Sequence, residues 1–130
     1  MICHKMFILI LFLTIAIAAN AEEKIKLTGT LLADRITGYE VLAGVYKKPG
    51  LGFNFMVTAY KNGTRELYWN DGIKSGTDKG THRFVDDQTC VTWENSFEGQ
   101  ERCYDVYKIG ENKYESYWNN ELEYTYYKIR

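Results

Sequence analysis

The hydrophobic pattern changes period twice along the chain. Residues 6–19 are apolar or small throughout apart from Thr14; Lys5 precedes them, and Ala19-Asn20-Ala21 and then Glu22 follow. A basic start, an apolar stretch and a small-x-small close make the three-part layout of a cleaved secretory signal, and the stretch is too short to cross a bilayer. A signal peptide over residues 1–21 and one mature domain over residues 22–130 are expected. Next, Leu31, Leu32 and Ile36 share a helical face, with Thr30 placed to cap its start and Gly38 to take the left-handed position at its end. This predicts a short helix of two turns.

Beyond Gly38 the period becomes two. Residues 39–46 are rich in β-formers, Phe53, Phe55 and Val57 alternate with Asn54, Met56 and Thr58, and Leu67 and Trp69 share a face within residues 65–70. Further strands are expected over residues 81–85, 89–94, 101–109, 113–118 and 122–129, with residues 71–79 as a polar loop. Asn62-Gly63 is the strongest hairpin signal, and Asp86-Asp87, Gly110-Glu111-Asn112 and Asn119-Asn120 punctuate the rest. About eight short strands with short turns, and no long helical pattern between them, predict a mainly β domain: an antiparallel barrel or sandwich with one short amino-terminal helix.

Composition narrows the function classes. The 130 residues are 45% hydrophobic and carry a net charge of -1, one domain's worth of chain without the basic excess a phosphate-neutralising nucleic-acid binder needs. Without residues 1–21 the balance becomes 15 basic against 17 acidic residues, and Cys90, Cys103 and His82 are the remaining cysteines and histidine. In an exported protein an even cysteine pair reads as a disulfide; a metal pair is the alternative, with His82 as poor support. A Cys90–Cys103 bridge would close a loop of about 14 residues and contribute about 3 kcal/mol through loop-closure entropy.

If the two cysteines oppose each other in a hairpin, Val91 faces Arg102 and Trp93 faces Gln100. One face of the ribbon then carries Val91, Trp93, Arg102, Tyr104 and Val106. The other carries Cys90, Thr92, Glu94, Cys103, Asp105 and Tyr107. The first is more apolar and should face the core, leaving the disulfide on the outer, less buried side. Arg102 is thereby placed among core residues, either at the barrel rim with its stem across Trp93 or buried against a carboxylate. Arg102, Trp93 and Tyr104 are the candidate ligand-binding residues. The tyrosines 114, 117, 124, 126 and 127 with Trp118 suit a ligand pocket or an interface, or ordinary β-propensity.

Catalytic chemistry has little to stand on. His82 is the single candidate base, no metal-ligand spacing is present, and no phosphate-cradling glycine loop occurs. Asp86 and Asp87 are adjacent and read as a turn, and Asn62-Gly63-Thr64 matches a glycosylation sequon that the hairpin also explains. No catalytic residue, metal or cofactor is assigned.

The stretch 80–93, with Cys90-Val91-Thr92-Trp93, followed by Glu101-Arg102-Cys103-Tyr104-Asp105-Val106-Tyr107, resembles the bacterial exported family known as domain of unknown function 995. His82 departs from it, since that family's pattern has tryptophan there. The resemblance implies an exported β-rich domain with the cysteines paired, and it brings no established activity. The expectation is a periplasmic or secreted, non-enzymatic, lipocalin-like barrel with no membrane span after cleavage. It would bind a small apolar or glycan ligand or an envelope protein, and not nucleic acid. Inhibition of a secreted protease or lysozyme is the alternative, by fold analogy.

Overall fold

The computed structural model describes residues 23–48 and 51–130, so the expected signal peptide lies outside the described residues. In chain order the elements are β1 (Ile25–Lys26), α1 (Gly29–Ala33), β2 (Tyr39–Lys48), β3 (Leu51–Tyr60) and β4 (Thr64–Asn70). They continue with β5 (Ser75–Val85), β6 (Gln88–Trp93), a short 3-10 turn (Ser96–Gly99), β7 (Arg102–Gly110), β8 (Lys113–Trp118) and β9 (Glu121–Lys128). Each strand from β2 to β9 pairs antiparallel with its sequence neighbour, and β9 returns to β2, so eight strands close into the expected barrel. β1 lies outside the ring, on β7 below the end of the β6–β7 pairing. No helix among the described residues is long and apolar enough to cross a membrane.

The turns form where the residues tolerate positive φ. Asp86 and Asp87, and Asn119 and Asn120, all have φ between 48° and 64°, the geometry of tight two-residue hairpins that follow the strand twist. Asn62 accepts hydrogen bonds from the Thr64 amide and hydroxyl, and Gly63 supplies φ +91°.

The β6–β7 register is as expected: Cys90 opposes Cys103, Val91 opposes Arg102, and Thr89 opposes Tyr104. The cysteines form a disulfide. Val91, Trp93, Tyr104 and Val106 are buried in the core, as the face argument requires. The disulfide is on the outer face but not less buried throughout, because Cys90 is 1% exposed. Arg83, opposite Cys90 on β5, makes a bidentate pair with Glu101, whose carboxylate lies beside both sulfurs; long outer side chains screen the bridge. Bonded sulfurs leave no thiolate for the metal-pair alternative.

Two further expectations change. The helix is a single turn from Gly29, preceded by Thr28 rather than capped by Thr30, and Asp34 rather than Gly38 ends it. Five residues cannot hold the periodicity that would align Leu31 with Ile36, so Leu31 is 65% exposed while Leu32 and Ile36 are buried. The stretch 71–79 is mostly strand, since the turn ends at Lys74 and β5 begins at Ser75. Its inward positions are Gly76, Asp78 and Gly80, so no apolar alternation marks it. The glycines make room for close neighbours: a Cβ at Gly76 would stand 2.8 Å from the Trp69 ring, and one at Gly80 would meet the Thr92 carbonyl oxygen first and then the Trp93 ring at 2.7 Å.

Gly80→Ala should therefore destabilise the protein by about 1–3 kcal/mol, the usual penalty for overpacking, read as a lower urea midpoint at unchanged slope. An unchanged midpoint would mean that neither the Thr92 carbonyl nor the Trp93 ring sits hard against Gly80.

Candidate functional site

Alternation along eight strands sends one residue in two into the barrel. There the side chains line a cavity of about 570 Å3, within the range of small-ligand sites. Its walls are mainly rings and aliphatic groups, among them Leu42, Phe55, Val57, Leu67, Val91, Trp93 and Tyr104. One end is the mouth, where the cavity reaches Gly52, Trp69, the Asp71–Lys74 turn and the turn carrying Ser96 and Phe97. Ile73, at the tip of that first turn, is 91% exposed.

The mouth is rigid. Asp78, on β5, is buried and accepts hydrogen bonds from the Asn95 amide and from the Ser96 amide and hydroxyl, the last at 2.6 Å. Burial alone would raise its pKa, but these donors outweigh it and hold the carboxyl below its ordinary value. The clamp fixes a turn in which Phe97 and Glu98 both have positive φ, a strained setting for a phenylalanine. Phe97 is thereby held on the Arg102 guanidinium, 4.0 Å from its ring centre, with Trp118 at 4.1 Å. Arg102 donates to Glu123 at 2.5 Å, and the Glu123 side chain is 2% exposed. Glu123 is the extra residue of a β-bulge, since Ser116 opposes Tyr124 while Tyr117 opposes Leu122. The bulge aims the carboxylate inward next to Tyr124.

The other end is the base. The segment from Leu27 to Gly38 crosses it: the Gly29 amide donates to Asp87, the Lys128 ammonium donates to the Arg35 carbonyl, and the Lys61 amide donates to the Gly38 carbonyl. Leu27, Leu32 and Ile36 join the core from below. Above this floor lie Arg35, Glu40, Arg65 and His82, all largely buried. Arg35 and Lys128 approach Glu40 at 3.5 and 3.9 Å. Arg65 Nε donates to His82 Nδ1 at 3.2 Å. Burial, then the charge of Arg35, pushes Arg65 down to about 10, so it remains a cation at neutral pH. Burial, then the charges of Arg65 and Arg35, pushes His82 down to about 4, so it is neutral there.

Of the residues singled out from the sequence, Trp93 and Tyr104 are on the cavity wall. Arg102 is at the mouth end with a carboxylate partner, combining the two placements considered for it, though the rings on it are Phe97 and Trp118 rather than Trp93. His82 shares its face with Phe84, the rings 5.6 Å apart. Among the tyrosines, Tyr124 lines the cavity, Tyr114 and Tyr126 stack at 5.6 Å in the core, and Tyr127 is exposed. Sequence reasoning missed Arg35, Glu40 and Arg65. A signal was present for two of them: Arg65 has the parity of Leu67 and Trp69, and Glu40 that of Leu42 and Tyr46. Comparison of the chain with protein-family models, with curated proteins and with solved structures gives no match.

Two outcomes follow from the charged groups. Arg102→Met should cost about 3–5 kcal/mol at neutral pH, because it leaves the Glu123 carboxylate buried and unpaired, and Arg102→Met with Glu123→Gln should recover much of that. A single variant as stable as the parent in urea would contradict the pair's role. His82 has its folded pKa below its unfolded one, so unfolded chains take up its proton first as pH falls. Its contribution is complete above about pH 6.5 and is lost on the way to about pH 4. His82→Asn keeps an acceptor for Arg65 without the titration, so its melting temperature should fall less across that window than the parent's. Parallel profiles would refute the assignment.

Proposed function

We propose that this chain is a small exported binding domain of the bacterial envelope, not an enzyme, and that it takes a mostly apolar small molecule into its barrel. The observation that carries the reading is the cavity of about 570 Å3 with its aromatic and aliphatic walls. Burial of an apolar ligand there removes surface from water at about 25 cal/mol per Å2, the main driving force for such binding. The same walls favour an apolar ligand over a glycan, which needs many hydrogen-bonding groups along its length, whereas the polar groups here gather at the two ends of the barrel. The hydrogen-bonded turn at the mouth fits a preformed site that binds without ordering a loop.

Export rests on the layout of residues 1–21, and the Cys90–Cys103 bridge is compatible with it, since disulfides persist in oxidising compartments. The cysteine hairpin is also the stretch on which the resemblance to the family named above rests.

Titration with the neutral fluorophore N-phenyl-1-naphthylamine should show saturable one-to-one enhancement. Val91→Trp, which fills the middle of the cavity, should abolish it while leaving the melting temperature within a few degrees. No enhancement with the parent, or full enhancement with the folded variant, would overturn the reading.

A further inference from the structure

The base of the cavity holds more positive charge than the protein balances. Arg35 and Arg65 both line the cavity, and both guanidiniums are buried. Among the described residues, the acid within ion-pair distance of either is Glu40, which pairs with Arg35 and is shared with Lys128. No carboxylate lies within that distance of Arg65, whose hydrogen-bonding partner is the neutral His82. The Arg102–Glu123 pair is at the opposite end and is balanced within itself. Among the described residues, Arg35 Nε and Nη1 and Arg65 Nη2 are buried with no hydrogen-bond partner within geometric reach, as are both oxygens of Glu40, while Arg35 also lies beside Tyr126 and over the Tyr114 ring.

Two buried guanidiniums, the charge of Arg35 helping to lower the pKa of Arg65, with unused donors, are an unfavourable arrangement for a binding wall that needs only apolar contact. They are a favourable one for an anion. A guanidinium presents its N–H groups in a planar fork that matches a carboxylate, and charge-assisted bonds in a low-dielectric site are the strong kind. From these donors, the unbalanced charge and the apolar walls above them, we infer that the ligand is an anionic amphiphile. A single carboxylate head would bind to Arg35 and Arg65 at the base, and its hydrocarbon body would run up to the mouth.

The length of that body follows from β4. Arg65 at its base end and Trp69 at its mouth end are four residues apart, so about 13 Å of strand separates them, or about 10 Å of barrel height at the usual tilt. That suits a straight chain of medium length, such as decanoate, or a compact ring system with one acidic group. A long double-chain lipid exceeds it.

This inference rests on the cavity being a ligand site, and the test separates the two. Decanoate, decanol and decylamine share one body and differ in head charge, and isothermal titration calorimetry of each with the protein at neutral pH ranks them. Decanoate should bind at least about tenfold more tightly than decanol, a modest demand for new charge-assisted hydrogen bonds, and decylamine more weakly than either. Arg65→Met should weaken decanoate about tenfold and leave decanol within about threefold. Arg35→Gln provides the same reading if Arg65→Met does not fold. Equal affinities for decanoate and decanol would overturn the anionic head and leave the apolar site standing. Failure of all three to bind would overturn both. Unchanged decanoate binding in a folded arginine variant would remove that arginine from the site.

Discussion

Closure of the sheet is the constraint on which everything else depends. Once β9 has paired with β2, and β8 with β7, no edge is left in the ring and each strand residue points either into the barrel or out of it. Parity then decides which way most strand side chains point. It puts Phe55, Val57, Leu67 and Val91 in the core and Met56 and Tyr68 on the surface, and it carries Glu40, Arg65 and Asp78 inside with the apolar residues of their strands. The interior of this ring is wider than its apolar side chains fill, so the inward charges are arranged around a space rather than embedded in a solid core.

The two ends of that space are built differently. At the mouth, Asp78 clamps the turn that carries Phe97, and Arg102 is fixed on Glu123 between two rings. Each charge there has its opposite or a set of donors. At the base, the floor crosses from Asp87 to β9 and brings Arg35 toward Arg65, while a single buried carboxylate, Glu40, pairs with Arg35 and Lys128 and leaves Arg65 outside ion-pair distance. One end therefore holds its shape by internal neutralisation, and the other presents charge to whatever lies above it.

Much of the ring was readable before any coordinates. Alternation located the strands, turn chemistry located the hairpins, and one cysteine pair fixed a register that placed Val91, Trp93, Tyr104 and Val106 together. What escaped has physical causes. The first part of β5, ahead of the expected strand 81–85, hides because Gly76 and Gly80 face inward against Trp69 and against the Thr92 carbonyl and Trp93, leaving no apolar period to count. Glu123 hides because its inward aim comes from a bulge that alternation does not foresee. Arg65 and Glu40 had the right parity, but a charge on a strand reads as solvent-facing unless the ring behind it is known. Arg35 follows a helix of one turn, where neither period applies.

The closing seam has a kinetic side. Leu42 pairs with Lys128, 86 positions further along, whereas the β6–β7 hairpin joins residues 13 apart and can be stapled by its disulfide as soon as it forms. Folding that ends on such a distant pairing must first meet a large loop-closure entropy, which puts antiparallel barrels among the slower small folds. The ring encloses its cavity only when β2 and β9 have met. Any state in which that seam is open leaves β2 and β9 each with an unpaired edge, on the side of the ring away from the disulfide.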